Sequence, residues 1–349
     1  MCSVQRNVRS AITSLLPATV RDDYRRTRKL VQVQQAFGTP SRIPGDTFVR
    51  RLRLTAFPKR TLLLYPSYPI DNYVIYKLCA VLGYKLVDQP GRRHDLAIHY
   101  FPTTYADADA MRRLPVGRPV VNGRLSDTSK THVAEAFERY FGYPLKIDPT
   151  RHFGKAVVKS EENGVRDASI VECPIGPESL REGYTYQKAV DNRTPDGGYL
   201  DYRVAVHGGR VPLVYHKYHA PDRQFVRDYS HVELCGPEDV FTPDEIEAIV
   251  DFAEGFGLDF GELDVLRDKA DGRIYIVDVN NVPVGPRVGP QFGFTRPQAV
   301  HAVRILSASF ADMVEDFIAR RVAEPDDTRP GLHPAAAPVK GGHQGRSAV

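Results

Sequence analysis

The stretch "GRIYIVDVNNVP", residues 272–283, decides the reading of this chain. It begins as a buried strand does, with Ile274, Tyr275, Ile276 and Val277 in succession. It then sets Asp278 and Asn280 two positions apart, and side chains at i and i+2 of a strand lie on one face. Upstream, "FGELDVLRD" reads as a partner strand, joined through a turn centred near Asp271. A loop symmetric about Asp271 puts Asp264 opposite Asp278, Glu262 opposite Asn280 and Leu266 opposite Ile276. One end of this face then holds three carboxylates and a carboxamide, and like charges facing each other across a ladder repel. Either water screens them at a solvated sheet end, or they hold a hard cation. Mg²⁺ takes oxygen ligands and commonly bridges protein carboxylates to phosphate oxygens. Because the acids emerge directly from a buried run, the cation is the better explanation.

The rest of the chain can support such a site. Its 349 residues are 42% hydrophobic, enough for a sizeable core and, on length, more than one domain. Four scattered cysteines show neither a CxxC spacing nor a Cys/His ligand pattern, which points to reduced thiols and a cytoplasmic setting rather than a disulfide framework or a zinc site. No apolar run approaches the ~18 residues of a membrane span. Residues 1–60 hold thirteen Lys/Arg against three Asp/Glu, a net of +10 in a chain of net +4, which leaves the remainder at −6. Such an arm could meet nucleic acid, anionic lipid or an acidic partner. The pattern has no Lys/Arg–aromatic repeat to support nucleic-acid binding, and a solvated, partly ordered N-terminal extension with helices near 19–36 is the expectation. A homo-oligomer is left open.

Along the chain, "RTLLLYP" (60–66), "YKLVD", "DLAIHYF" and "RPVVNG" read as strands. Helices are expected at about 71–83, with Asp71 as N-cap and Gly83 as stop, and at 127–141. Alternating strands and helices predict a small domain on a largely parallel sheet. From about 144 the texture becomes hairpin-rich. "GYLDYRVAVHGGRVPLVYHKYH" is a long hairpin turning at Gly208-Gly209. "FTPDEIEAIVDFAEGFGLD" carries a capping box, Thr242 with Glu245, and Pro243 at the first helical position. A helix over 297–320 closes the folded part, and the Pro/Gly-rich tail from 323 is expected to be disordered. The domains expected are a basic N-terminal extension (1–58), an α/β domain (59–143), a second domain (144–322) and the tail (323–349).

With these residues in view, "ELDVLRD…GRIYIVDVNNVP" resembles the closing strands of the ATP-grasp superfamily, the group of D-alanine–D-alanine ligase and glutathione synthetase. The resemblance covers roughly 60–320. It implies a mixed α/β and α+β ATP-grasp fold behind an N-terminal α/β domain, with Mg²⁺ and ATP as cofactors. It marks Asp264, Asp278 and Asn280 as metal ligands. Asp278 stands where the family usually has Glu, and Glu262 stands where it usually has a basic residue, leaving open whether Glu262 is a further ligand. "KAVVKSEENG" resembles the family's strand lysine ahead of a Gly-containing loop, which marks Lys159 for the ATP phosphates and Lys155 as second candidate. "YQKAVDN" occupies the adenine-binding position, with Gln187, Lys188 and Val190 lining the base and Asp191 reaching the ribose. The long hairpin resembles the one whose basic residues face the triphosphate, which marks Arg203 and Lys217 as catalytic. "DTSK" implies Lys130 near the nucleotide.

The implied reaction joins a small-molecule carboxylate to an amine. ATP phosphorylates the carboxylate, and the acyl phosphate is attacked with release of ADP. Phosphoryl transfer needs positioning and charge neutralisation more than covalent help from the protein. An ATP-grasp kinase, or a nucleotide-binding protein without turnover, uses the same residues. Arg287 and Arg296, in the segment after the metal strand, are candidates for an anionic substrate group.

Overall fold

The computed structural model describes residues 18–38, 46–115, 118–165, 167–223, 225 and 228–323. Two helices come first, α1 (Ala18–Phe37) and α2 (Asp46–Ala56). Then follow β1 (Thr61–Pro66), α3 (Val74–Leu82), β2 (Lys85–Val87), β3 (Leu96–Tyr100), α4 (Ala108–Arg112), β4 (Val120–Val121) and α5 (Lys130–Phe141). The four strands are parallel in the order β2-β1-β3-β4. Parallel strands covered on both faces read as continuous apolar runs, and Leu62, Leu63 and Leu64, like Leu96, Ala97 and Ile98, are all buried.

The second half adds two antiparallel sheets. β5 (Gly154–Ser160), β6 (Ser169–Cys173) and β7 (Tyr184–Lys188) form one in the order β6-β5-β7. The other is built from β8 (Tyr199–His207), β9 (Val214–His219), β10 (His231–Cys235), β11 (Phe260–Arg267) and β12 (Ile274–Asn280), in the order β10-β9-β8-β11-β12. Between β10 and β11 lies α6 (Pro243–Phe256), and α7 (Arg296–Ala323) ends the described chain. The mixed α/β and α+β expectation holds. α6 has the capping box read from sequence: Thr242 Oγ1 accepts from the Glu245 N–H, and the Glu245 carboxylate accepts from the Thr242 N–H. Gly208 and Gly209 turn the β8–β9 hairpin with φ of +57° and +77°, a conformation costly for any other residue.

Three expectations are corrected. α3 starts at Val74, without a side-chain cap, and Asp71 instead accepts from Lys29 Nζ at 2.9 Å. α5 starts at Lys130 with Ser129 as its cap, three residues later than expected. The segment 18–56 is not a solvated arm, since Leu30, Val31 and Leu54 are buried in the same core as α3 and α7. Its polar groups are tied down too. Asp23 on α1 accepts a two-pronged bond from Arg92, at 2.7 and 2.6 Å, and meets Lys85 Nζ at 2.6 Å. Burial alone would raise the Asp23 pKa; the bonds from Arg92 and Lys85 outweigh it, and the net shift is downward. The expected tail and residues 1–17 lie outside the described residues.

The Asp23 carboxylate therefore stabilises the fold above the ordinary carboxylate pKa of ~4, and that contribution is lost as pH falls through its lower folded value. Asp23→Ala should cost about 1.5–3 kcal/mol at pH 7, the range for hydrogen bonds to a charged group. Urea denaturation should show the gap to the parent closing in strong acid. An equal cost at pH 7 and pH 3 would contradict the ion-pair account.

Candidate functional site

The site grows from the register of β11 and β12. Glu262 pairs with Asn280, Leu263 with Val279 and Asp264 with Asp278, as the sequence implies. Beyond Asp264 the register shifts, so that Val265 faces Ile276 and Leu266 faces Tyr275 rather than Ile276. Val277 is the extra residue of a bulge, a device that re-aims neighbouring side chains. Lys159 Nζ donates to the Val277 carbonyl at 2.8 Å, tying β5 to the bulge directly before Asp278.

Cations surround the acid pair. Arg203 on β8 lies opposite Asp264, with Nε 2.5 Å from Asp264 Oδ1 and Nη1 3.7 Å from Glu262 Oε2. Lys130 Nζ lies 2.7 Å from Asp278 Oδ1. Neither of these close contacts makes an aligned hydrogen bond, so both act as ion pairs. Asn280 Nδ2 reaches Asp264 Oδ2 at 3.5 Å. Burial raises the Glu262 pKa against the opposing pull of Arg203 and Lys217. The paired acids split. Burial, reinforced by Asp278, drives Asp264 upward despite Arg203, whereas Lys130 and Lys159 overcome burial at Asp278 and bring it down. The Lys159 ammonium is pushed down to about 8, chiefly by burial.

Among the described residues no group of three or more His, Cys, Asp or Glu is set to hold a metal. What converges is two carboxylates and a carboxamide, and Glu262 Oε1 is buried without a hydrogen-bond partner. That donor set fits Mg²⁺, which is usually held by one or two carboxylates with waters and phosphate oxygens filling the other positions. It does not suit a cation needing an all-protein cage.

A cavity of ≈ 230 Å³ opens beside the cluster. Arg203, Lys217, Glu262, Asp278 and Asn280 line its sheet side, and Arg287 lines the loop side. Lys217 Nζ sits 4.9 Å over the Tyr229 ring, and the Arg287 guanidinium 3.9 Å over Phe292. Arg296 does not line the cavity; it donates to the Ala36 carbonyl at 3.4 Å.

The residues marked for the nucleotide base are dispersed in role. Gln187 is buried with Nε2 unpartnered, and Val190 is buried in the core under β11 and β12. Lys188 Nζ is held by Asp268 at 2.7 Å, Asp271 at 2.8 Å and Tyr275 Oη at 2.7 Å. These bonds raise its pKa although burial acts the other way. The Asp191 carboxylate is taken by Arg193, which lowers its pKa to about 2. Lys155 is exposed and four positions before Lys159, roughly 13 Å along the strand.

The loop after β5 contains what sequence reading passed over. The Glu161 carboxylate accepts from the Thr131 N–H at 2.9 Å and from the hydroxyls of Thr131 and Thr185, at the N-terminus of α5 where a negative charge is favoured. Asn163 contacts Lys130 and Thr128 through its side chain, and its N–H donates to Thr104 Oγ1 at 2.7 Å. The "EENG" segment is thereby docked beside the acid cluster, with Gly164 lining the cavity. No local pattern in "SEENG" announces these partners, which lie 24 to 59 residues away in sequence.

No family model matches the chain, and no curated protein matches it. Solved structures do. D-alanine–D-alanine ligase from Bacillus anthracis is 14% identical at a TM-score of 0.47, covering 76% of this chain and 99% of its own. The RimK domain protein ATP-grasp from Sphaerobacter thermophilus is 15% identical at 0.43, covering 73% and 99%. The ATP-grasp ligase PsnB, solved with a phosphomimetic variant of minimal precursor, Mg and ADP, is 16% identical at 0.40, covering 60% and 66%. This chain is similar in fold to ATP-grasp ligases. With TM-scores below 0.5, what those proteins bind or catalyse is not carried over by likeness.

The pairing of Asp278 with Lys130 replaces the expectation of a bare carboxylate–carboxylate repulsion. Asp278→Asn should lower stability in the absence of any ligand by about 1–3 kcal/mol, the cost of stranding a buried charged partner. Chemical denaturation measures it, and a gain in stability would restore repulsion as the dominant force.

Proposed function

We propose that the chain is an ATP-dependent, ADP-forming ligase that joins a carboxylate to an amine through an acyl phosphate. The observation that carries the proposal is the alternation of charge on one sheet end: Asp264, Asp278 and Asn280 interleaved with Arg203, Lys130 and Lys159, beside the cavity that Lys217 lines. A triphosphate brings about four negative charges, which need cations to neutralise them and carboxylates only if a metal comes too. Both are supplied here where the β8–β11–β12 ladder meets α5 and β5.

In this reading Asp264, Asp278 and Asn280 would hold Mg²⁺, which when bound would supply charge neutralisation for phosphate oxygens. Lys159 and Arg203 meet other phosphate oxygens, and Lys217 faces the transferring group from β9. The Gln187–Asp191 segment receives the base and ribose. The side chains of Lys188 and Asp191 are held by Asp268, Asp271 and Arg193, and the Lys188 N–H and Asp191 carbonyl are bonded to Leu145 and Lys269, which leaves the remaining groups of the segment for the nucleotide. The acceptor carboxylate lies in the cavity, where its oxygen attacks the terminal phosphorus in line and ADP departs. An amine then displaces phosphate from the acyl carbon. Fixed cations aimed at developing charge require no rearrangement during transfer, the general basis of such stabilisation.

Two measurements test this. ADP release should require a carboxylate and an amine together; a stable phosphorylated acceptor formed without amine would reassign the chain to the kinases. Lys159→Met should weaken Mg·ATP binding at least ~10-fold, about 1.4 kcal/mol, with the fold retained by circular dichroism. Unchanged affinity by calorimetry would remove Lys159 from the phosphate site.

A further inference from the structure

The cavity says more about its occupant than that it is a carboxylate. Its loop wall is rigid. The Val74 N–H donates to the Pro283 carbonyl at 3.0 Å, and the buried Lys77 ammonium donates to the carbonyls of Val284 at 2.9 Å and Pro286 at 2.7 Å. Gly285, at φ +64°, packs so tightly that a Cβ there would lie 2.6 Å from Val74 Cβ. This wall therefore holds its shape before any ligand arrives, which lowers the entropic cost of binding.

What the wall presents is aromatic and cationic. Tyr73, Tyr229, Phe292 and Phe294 line the cavity with Val282 and Val284. Arg287 lies with one guanidinium face on Phe292, which leaves its N–H edge available, and among the described residues no carboxylate pairs with it. Lys217 has no ion-pair partner among them either, its ammonium resting on Tyr229. Two unpaired cations in an aromatic-walled space of ≈ 230 Å³ select for charge and for an apolar body together. Polar lining alone would suit a short dicarboxylate or a sugar acid; four aromatic rings would waste their area on either.

Resting on the ligase reading, we propose that the carboxylate substrate is a small acid with an aromatic or similarly bulky apolar body, its anion drawn by Arg287 and Lys217 and its body packed against Tyr73, Phe292 and Phe294. The probes are 3-phenylpropionate, propionate and phenethylamine, titrated by calorimetry into the full chain with and without a non-hydrolysable ATP analogue and Mg²⁺. Phenylpropionate should bind at least ~10-fold tighter than propionate and than phenethylamine, and Arg287→Ala should weaken both acids and remove most of the preference over phenethylamine while nucleotide binding persists. Propionate binding equally well would show that the rings do not read the body. Phenethylamine binding best would show that Glu262 and Asp278, not the cations, set the charge preference. Either result, or no binding of any probe, overturns the proposal. Nucleotide binding in the same titrations keeps the two readings distinguishable: absent nucleotide binding with phenylpropionate bound would sink the ligase reading, and the substrate assignment with it, whereas nucleotide bound without a preference for phenylpropionate would overturn the substrate assignment alone.

Discussion

The cross-strand pair of Asp264 and Asp278 is the constraint around which the rest is arranged. Two carboxylates ~5 Å apart on a ladder repel by about 3 kcal/mol at an effective dielectric near 20. The fold does not leave that energy unopposed. Arg203 reaches Asp264 from β8, and Lys130 reaches Asp278 from the first turn of α5. The site thus exists only where three separately folded pieces meet: the β8–β11–β12 ladder, the start of α5 and the strand β5 that brings Lys159. In the proposed reading the cations that pair with these acids are those a triphosphate would engage, so binding would exchange internal ion pairs for ligand contacts rather than create charge contacts anew.

The bulge at Val277 serves this arrangement. An unbroken ladder would pair the carbonyl of every residue within the sheet or leave it at an edge. Val277 at the bulge lies on the edge strand of the sheet, and Lys159 donates to its carbonyl. A lysine held at a backbone carbonyl immediately before Asp278 is positioned beside the acid pair, and burial lowers its pKa to about 8. On the opposite side, the Glu161 and Asn163 contacts dock the loop after β5 against α5. Both walls of the cleft are therefore built by hydrogen bonds that link elements distant in sequence.

This explains what could be read beforehand. The Asp264–Asp278 and Glu262–Asn280 pairs followed from hairpin symmetry and period-two alternation, and the capping box of α6 and the Gly208-Gly209 turn followed from local chemistry. Each depends on residues within one or two elements. Leu266 was misplaced because the register shifts at a bulge between Asp264 and Val265, which a symmetric hairpin does not contain. Asp71 lost its capping role to an ion pair with Lys29, and residues 18–56 looked solvated because their charges dominate composition while Leu30, Val31 and Leu54 bury only one face. The engagement of Lys188 by the β11–β12 turn and of Asp191 by Arg193 was hidden for the same reason: the side chains' partners are decided by folding, whereas the backbone path through "YQKAVDN" is not.

The central claim is that this sheet end is a site for a metal-bound triphosphate rather than a self-contained ion-pair network. Calorimetric titration of ATP into the parent and into Asp264→Asn, each in the presence of Mg²⁺ and of chelator, tests it most directly. The account predicts that Mg²⁺ tightens ATP binding to the parent at least ~10-fold and that Asp264→Asn loses most of that increment while retaining the weaker metal-free binding held by the cations. Equal affinity with and without Mg²⁺ in the parent, or an undiminished Mg²⁺ increment in Asp264→Asn, would contradict it.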